Sequence, residues 1–233
     1  MGLGYGSEYQ LLRYLGHHRN ELNKTIRENT RLKGQLVWLD FPKDNNRLSL
    51  DGEYKGLEFL RNGITQLKFE ELQLKWKEYW SSNGNLPNWD GIILHKSGDI
   101  EEWIIIEAKA HLKEIHSTTE SSSNKKIQNA FIKTQKRFEI CSNNWFDKYY
   151  QLANRLAFVN FLLDNKINAS LLYIYFLNGY EKCQLKDKKR VTIENKSVEK
   201  IEDWERVIKE EYNELGINSN AEQYISKIFI ECK

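Results

Sequence analysis

The sequence predicts an α/β domain built on a mixed central β-sheet flanked by helices. Three observations carry this. Apolar residues recur at helical spacing over 7–28, 64–80 and 124–140. Two neighbouring runs, 89–95 and 100–110, read as strands joined by the turn "HKSGD". A strongly apolar helix, "YYQLANRLAFVNFLLDNK", is followed at once by "ASLLYIYFL", a run fit for a buried strand.

Taken in order, the elements are these. Residues 7–28 form a helix with Ser7 as N-cap, and Leu11, Leu15, Leu22 and Ile26 share one face. "GQLVWLDF" (34–41) reads as a strand and "EYKGLEFL" (53–60) as another. The helix over 64–80 ends near "SSNGN". Between the next two strands, Gly98 occupies the turn position that asks for positive φ. "HSTTESSSNKK" (116–126) is polar and Ser-rich and reads as a mobile loop. The tail, roughly 199–230, is helical in pattern. The chain is thus one domain over 1–233, with a core at roughly 1–178 and a helical C-terminal addition at roughly 195–233.

Composition narrows the class. A chain of 233 residues can bury a sizeable core. Its 40% apolar and 12% aromatic content excludes a disordered chain. A net charge of +2 excludes no partner, because local patches matter more than the total. Cys141, Cys183 and Cys232 are odd in number and far apart, which suggests neither a disulfide framework nor a cysteine zinc site. "MGLGYGSEYQ" lacks a signal peptide's apolar run, and Gly6 breaks the myristoylation pattern. With no apolar run of membrane-spanning length, the expectation is a soluble cytoplasmic protein. No Ser-His-Asp order, P-loop or dinucleotide glycine motif is present. His111 and His116, with Glu114 between them, lack further zinc ligands at workable spacing.

The stretch "NWDGIILHKSGDIEEWIIIEAKAH" (88–111) holds the chemistry. Side chains alternate across a strand, so Ile104, Ile106, Ala108 and Ala110 take one face. Ile105, Glu107, Lys109 and His111 take the other, with Glu107 and Lys109 about 7 Å apart along the strand. A carboxylate and an ammonium beside a core strand are costly to desolvate unless paired or bound to something. An ion pair at the solvated end of an edge strand would satisfy that alone. Asp90 adds a second carboxylate, since pairing around Ser97-Gly98 sets it roughly across from 105–107. Two carboxylates and a lysine on one sheet edge suit a hard cation such as Mg²⁺. Such an ion lowers the pKa of a bound water and shields phosphate charge, while the lysine orients the water.

"PNWD" (87–90), with "EAK" (107–109) after an apolar strand, resembles the PD-(D/E)xK nuclease superfamily. The chain departs from the family's Pro-Asp pair by placing Asn88-Trp89 between Pro87 and Asp90. The resemblance spans roughly 1–178, and its short motif gains specificity from the hairpin, the apolar strand and the element order. "EAKAHL" and "YYQLANRLAFVNFLL" also resemble uncharacterised bacterial proteins of this type.

The resemblance implies a restriction-endonuclease-like core and a Mg²⁺-dependent nuclease, with Mn²⁺ able to substitute. It implies in-line phosphodiester hydrolysis of nucleic acid, DNA foremost, leaving a 5′-phosphate. Asp90 and Glu107 would hold the metal, and Lys109 would position or activate the attacking water. Family members often carry a further acid on the first helix. Glu8 lies within the apolar face and Glu21 roughly 120° away, so Glu8 is the candidate for a further metal ligand, through water or on a second ion. A first-turn Glu favoured by the helix dipole is the other reading. Gln135, beside the Ile127/Phe131/Phe138 face, would support the site or be a half-buried surface residue. Lys125, Lys126, Lys133 and Arg137 would meet phosphates or form a solvated basic face, as would Lys136. Trp89 reads as a packing aromatic before a base-stacking one. Many duplex cutters dimerise, so a homodimer is compatible, though no interface is legible. The alternative is a catalytically silent nuclease-like fold acting as a nucleic-acid or protein binding module. A third reading is a plain α/β protein with a surface ion pair.

Overall fold

Apolar runs build the sheet and amphipathic stretches cover it. The computed structural model describes residues 6–39, 43–44, 47–48, 54–80, 87–117, 121–142, 144–179, 182–186, 189–194 and 196–232. Helices α1 (Gly6–His17) and α2 (Arg19–Asn29) lead into β1 (Gln35–Trp38). The short strands β2 (Lys43–Asp44), β3 (Arg47–Leu48) and β4 (Tyr54–Lys55) precede α3 (Gln66–Tyr79). Next come β5 (Asn88–Trp89), β6 (Gly91–Ser97) and β7 (Ile100–Lys109), then α4 (Lys125–Phe138), α5 (Tyr150–Asp164) and β8 (Ala169–Leu177). A hairpin of β9 (Lys182–Lys186) and β10 (Lys189–Glu194), which the sequence reading left unassigned, is followed by α6 (Ile201–Leu215), α7 (Ser219–Glu222) and β11 (Ile225–Glu231).

The main sheet has five strands in the order β1-β6-β7-β8-β11. β1/β6 and β6/β7 are antiparallel, whereas β7/β8 and β8/β11 are parallel, so the sheet is mixed as expected. The β6–β7 hairpin closes at Ser97↔Ile100, and Gly98 takes φ +59° in its turn. Helices cover both faces. On one, Leu11, Leu15, Leu22 and Ile26 of α1 and α2 pack with Ile93, Ile104, Ile106, Ala108 and Ala110. On the other, Ile92, Ile105 and Leu171 meet Trp76 of α3, Phe158 of α5 and Trp204 of α6. Every residue of α5 from Leu152 to Leu162 is buried, which is why its sequence is apolar around most of the circumference.

Several expectations change in detail. The single helix over 7–28 is bent into α1 and α2 at His18, whose φ is −129°. The backbone ladder still runs through, with His18 N donating to Tyr14 O (2.9 Å) and Leu22 N to His18 O (2.9 Å). Arg19 Nε donates to Leu15 O (3.0 Å) at the bend. Of "EYKGLEFL", only Tyr54–Lys55 is a strand, paired with β5, and Glu58–Asn62 winds into a 3-10 turn. Residues 40–41 and 53, the "SSNGN" segment and 118–120 of the Ser-rich stretch lie outside the described residues. Within that stretch, Ser121–Ser123 form a 3-10 turn and Asn124 caps α4, accepting from Lys126 N and Ile127 N.

The largest correction concerns the tail. It is not wholly helical, because β11 joins the sheet as a parallel partner of β8 and buries Ile228 and Ile230. Ile228 and Ile230 share one face of β11 and Ile225 and Phe229 the other, as alternation along a strand requires. The C-terminal segment therefore completes the sheet instead of standing outside it. Among the described residues, no helix is long and apolar enough to cross a membrane.

Candidate functional site

Register brings Asp90 to Glu107. Gly91 pairs with Ile106, so Asp90 stands at the entry of β6, across from the C-terminal half of β7. Asp90 N donates to Ile106 O (3.2 Å), and its own Oδ2 accepts from Ala108 N (2.7 Å). Glu107 and Lys109 share the face of β7 that looks onto α5, as alternation requires. Glu107 is 3% exposed and Lys109 is 5% exposed, so the pair belongs to the interior and not to a solvated sheet edge.

Burial of that pair is met by α5. Gln151 and Arg155, one helical turn apart, project from it onto Glu107. Glu107 Oε1 accepts from Lys109 Nζ (2.8 Å) and Gln151 Nε2 (2.7 Å). Glu107 Oε2 accepts from Arg155 Nε (2.9 Å), with Arg155 Nη2 also at 2.9 Å. Lys109 Nζ in turn donates to Gln151 Oε1 (2.7 Å). Arg155 stacks over the Trp89 ring at 4.7 Å, and Trp89 Nε1 donates to Gly56 O (2.8 Å). Trp89 is thus fully buried packing beside the site and offers no face for a base. Ser117 Oγ accepts from Gln151 N (2.7 Å), tying the start of the Ser-rich stretch to the first turn of α5.

The two carboxylates are in opposite electrostatic positions. Burial pushes the Glu107 carboxyl up, but the charges and hydrogen bonds of Arg155 and Lys109 outweigh it and hold the group below its usual range. Asp90 is pushed up to about 8, first by burial and then by the charge of Glu107. Lys109, the Ala108 N–H and Arg155 offset that rise only in part. Asp90 is therefore the carboxylate short of positive charge.

These groups open onto a cleft of about 420 Å³. Asp90, Glu107, Lys109, Gln151, Asn154 and Arg155 line it, with Ser7, Glu114, His116, Ser117 and Tyr150. Asn154 Oδ1 is buried without a partner among the described residues. Glu114 Oε2 accepts from Ala110 N (2.7 Å) at the end of β7. Behind the cleft, Glu211 of α6 is 3% exposed. Burial pushes its carboxyl up to about 8, with Lys109 lowering and Glu107 raising it. Tyr173, paired with Glu107 in register, has a buried hydroxyl without a partner among the described residues.

The other expected site residues lie elsewhere. α1 packs on the Ala108/Ala110 face, opposite to Glu107 and Lys109, and only Ser7 from its first turn reaches the cleft. Glu8 is half-buried on α1 and is not among the cleft's lining residues. Gln135 Nε2 donates to Ser142 O (2.6 Å) beyond the end of α4, away from the cleft. The glutamine that contacts Glu107 and Lys109 is Gln151, one helix further on. Lys125, Lys126, Lys133 and Arg137 are exposed on α4, also away from the cleft. Arg137 is engaged with Asn160 and Asp164, Lys126 donates to Lys77 O (2.5 Å), and Lys133 sits 5.8 Å from the Tyr79 ring.

Asp90 and Glu107 are hard oxygen donors on adjacent strands, with Asp90 lacking compensating charge. Oxygen donors are the type Mg²⁺ takes, but both oxygens of Glu107 already accept from Lys109, Gln151 and Arg155, and Asp90 Oδ2 accepts from Ala108 N. Among the described residues no group of three or more His, Cys, Asp or Glu could hold an ion unaided. An ion here would draw its remaining ligands from water and substrate, which is how Mg²⁺ is usually held. Comparison with family models, with curated proteins and with solved structures gives no match.

Proposed function

We propose that the chain is a Mg²⁺-dependent phosphodiester hydrolase acting on nucleic acid, with Asp90 and Glu107 as metal ligands and Lys109 at the reacting phosphate. The observation that carries this reading is the charge-poor Asp90 carboxylate set across from Glu107 and Lys109 at the wall of one cleft. Mg²⁺ bound there would shield the phosphate and acidify a bound water. Lys109 contributes a positive charge and donors for orienting the attacking water and stabilising the charge that develops. Gln151 holds the Lys109 ammonium in place through its Oε1. Arg155 keeps Glu107 ionised, so Lys109 stays beside a full negative charge.

A second reading, binding without cleavage, has its own observation. Arg155, Lys109 and Gln151 already occupy both oxygens of Glu107, leaving few lone pairs for an ion. On that reading the cluster is a buried structural network and the cleft only binds. Cleavage of single-stranded and duplex DNA with Mg²⁺ separates the two. The nuclease reading expects Lys109→Met to lose activity by on the order of 10²-fold or more while DNA affinity survives. A wild type that binds DNA and never cuts it, with Mg²⁺ or Mn²⁺, selects the binding module.

A further inference from the structure

The main sheet ends on one side at β1 and on the other at β11. β1 is four residues long, whereas β11 runs for seven in unbroken register with no proline and no bulge. An edge of that kind is a template for a further strand. Two bonds to β8 fix which of its backbone groups are used: Leu171 N donates to Tyr224 O (2.8 Å) and Cys232 N to Leu177 O (2.8 Å). A ladder engages alternate residues, so Ser226, Ile228 and Ile230 bond towards β8, while Ile225, Lys227, Phe229 and Glu231 point their N–H and C=O groups outward. Tyr14 Oη donates to Glu231 O (2.8 Å). The outward groups of Ile225, Lys227 and Phe229 have no partner among the described residues. An open groove of about 590 Å³ follows this edge over 225–229. Residues 29–31 at the end of α2 wall it on one layer, and Ile201 of α6 and Glu222 of α7 on the other. The Ile201 side chain, 40% exposed, is apolar surface at the groove's rim.

We infer that a second copy of this chain pairs on this edge, β11 against β11 and antiparallel, about a two-fold axis at Phe229. Charge complementarity within β11 points to that occupant and that register. The axis at Phe229 sets Lys227 against the partner's Glu231, and by symmetry Glu231 against the partner's Lys227. It also sets Ile228 against the partner's Ile230 on the opposite face, and every outward backbone group meets another outward group. Opposite charges directly across a ladder stabilise it and like charges destabilise it. An axis at Lys227 would oppose two lysines, and one at Ile228 would leave Lys227 opposite Phe229 and Glu231 opposite Ile225. Within one copy neither charge is tightly held. Lys227 Nζ lies 3.9 Å from Glu222 Oε1 and 5.3 Å from the Tyr212 ring, and Glu231 Oε1 accepts from Asn178 Nδ2 (3.3 Å) at the surface. The groove flanks the first half of β11, so in an antiparallel pair it receives the last half of the partner's strand. The walls of the two copies then stand at opposite ends of the joint. The two five-stranded sheets become one of ten strands, and this pairing is independent of the nuclease reading.

The test is sedimentation velocity of the full chain across a concentration series into the high-micromolar range. Wild type reaches a species of twice the 27.7 kDa chain mass. Lys227→Glu opposes two carboxylates at each end of the joint, and Glu231→Lys opposes two ammonium groups. Each variant alone raises the dimer dissociation constant about 10-fold or more. An equimolar mixture of the two variants restores the dimer, because every pair across the joint then has opposite signs. The double variant Lys227→Glu, Glu231→Lys restores it as well. Rescue by mixing also shows that both variants fold, and both positions are partly or fully exposed. A wild type that stays monomeric throughout leaves the edge to a foreign strand and overturns the inference. A dimer that both single variants keep lies on another surface and overturns it too. Single variants that neither the mixture nor the double variant rescues overturn the register at Phe229, and with it the inference.

Discussion

Asp90→Asn should stabilise the metal-free protein, and the gain should grow with pH. Folding raises the Asp90 carboxyl from 3.8 to about 8. The folded state therefore binds a proton more tightly than the unfolded chain between those values. Stability falls as pH climbs from about 4 towards 8, because each increment favours the state that holds fewer protons. At about 1.4 kcal/mol per pH unit the full window sets a ceiling of roughly 6 kcal/mol. Asp90 is only half-buried, and water and local relaxation absorb much of that, leaving a gain on the order of 1–3 kcal/mol at pH 9. Asn keeps an oxygen to accept the Ala108 N–H, so the β6–β7 junction survives. Urea unfolding of wild type and variant at pH 5, 7 and 9 in EDTA measures the difference. Wild type should lose stability with pH while the variant changes less. A variant less stable than wild type at pH 9, or one with the same pH slope, would refute the claim that Asp90 is a carboxylate held without enough positive charge.

Other perturbations follow from the same cluster. Arg155→Met removes the donors on Glu107 Oε2 and the stacking on Trp89, and should cost about 3–5 kcal/mol in urea unfolding; a cost below about 1 kcal/mol would deny the buried pair its structural role. Glu211, raised from 4.5 to about 8 by burial first, makes stability decline between those values. Glu211→Gln should flatten that decline, and an unaltered pH–stability curve would place its carboxyl in ordinary solvent.

What was legible in the sequence was whatever a local period encodes. Alternation along "EEWIIIEAKAH" separated Ile104, Ile106, Ala108 and Ala110 from Ile105, Glu107 and Lys109, and the two faces pack in separate cores. Hairpin register around Gly98 placed Asp90 at Glu107. Contacts set by tertiary packing were not legible. Gln151 and Arg155 reach Glu107 only because α5 packs against β8, the strand beside β7, yet a local signal existed: Gln151, Asn154 and Arg155 are polar residues at one-turn spacing in a mostly apolar helix. Gln135 sits in the last turn of the preceding helix, where the Ser142 carbonyl accepts from its amide. Glu211 carried no such mark, since an acid in an amphipathic surface helix is ordinary. β11 was hidden because a short apolar run beside a helix does not reveal its period until a parallel neighbour fixes it.

The central claim is that Asp90 and Glu107 share a divalent cation. Titration calorimetry with Mn²⁺ at pH 8 addresses it without reference to any substrate. The expected result is one site on the wild type, lost in both Asp90→Ala and Glu107→Ala and retained in Lys109→Met, whose ammonium has no lone pair to give. Equal Mn²⁺ affinity in wild type and both carboxylate variants would contradict it.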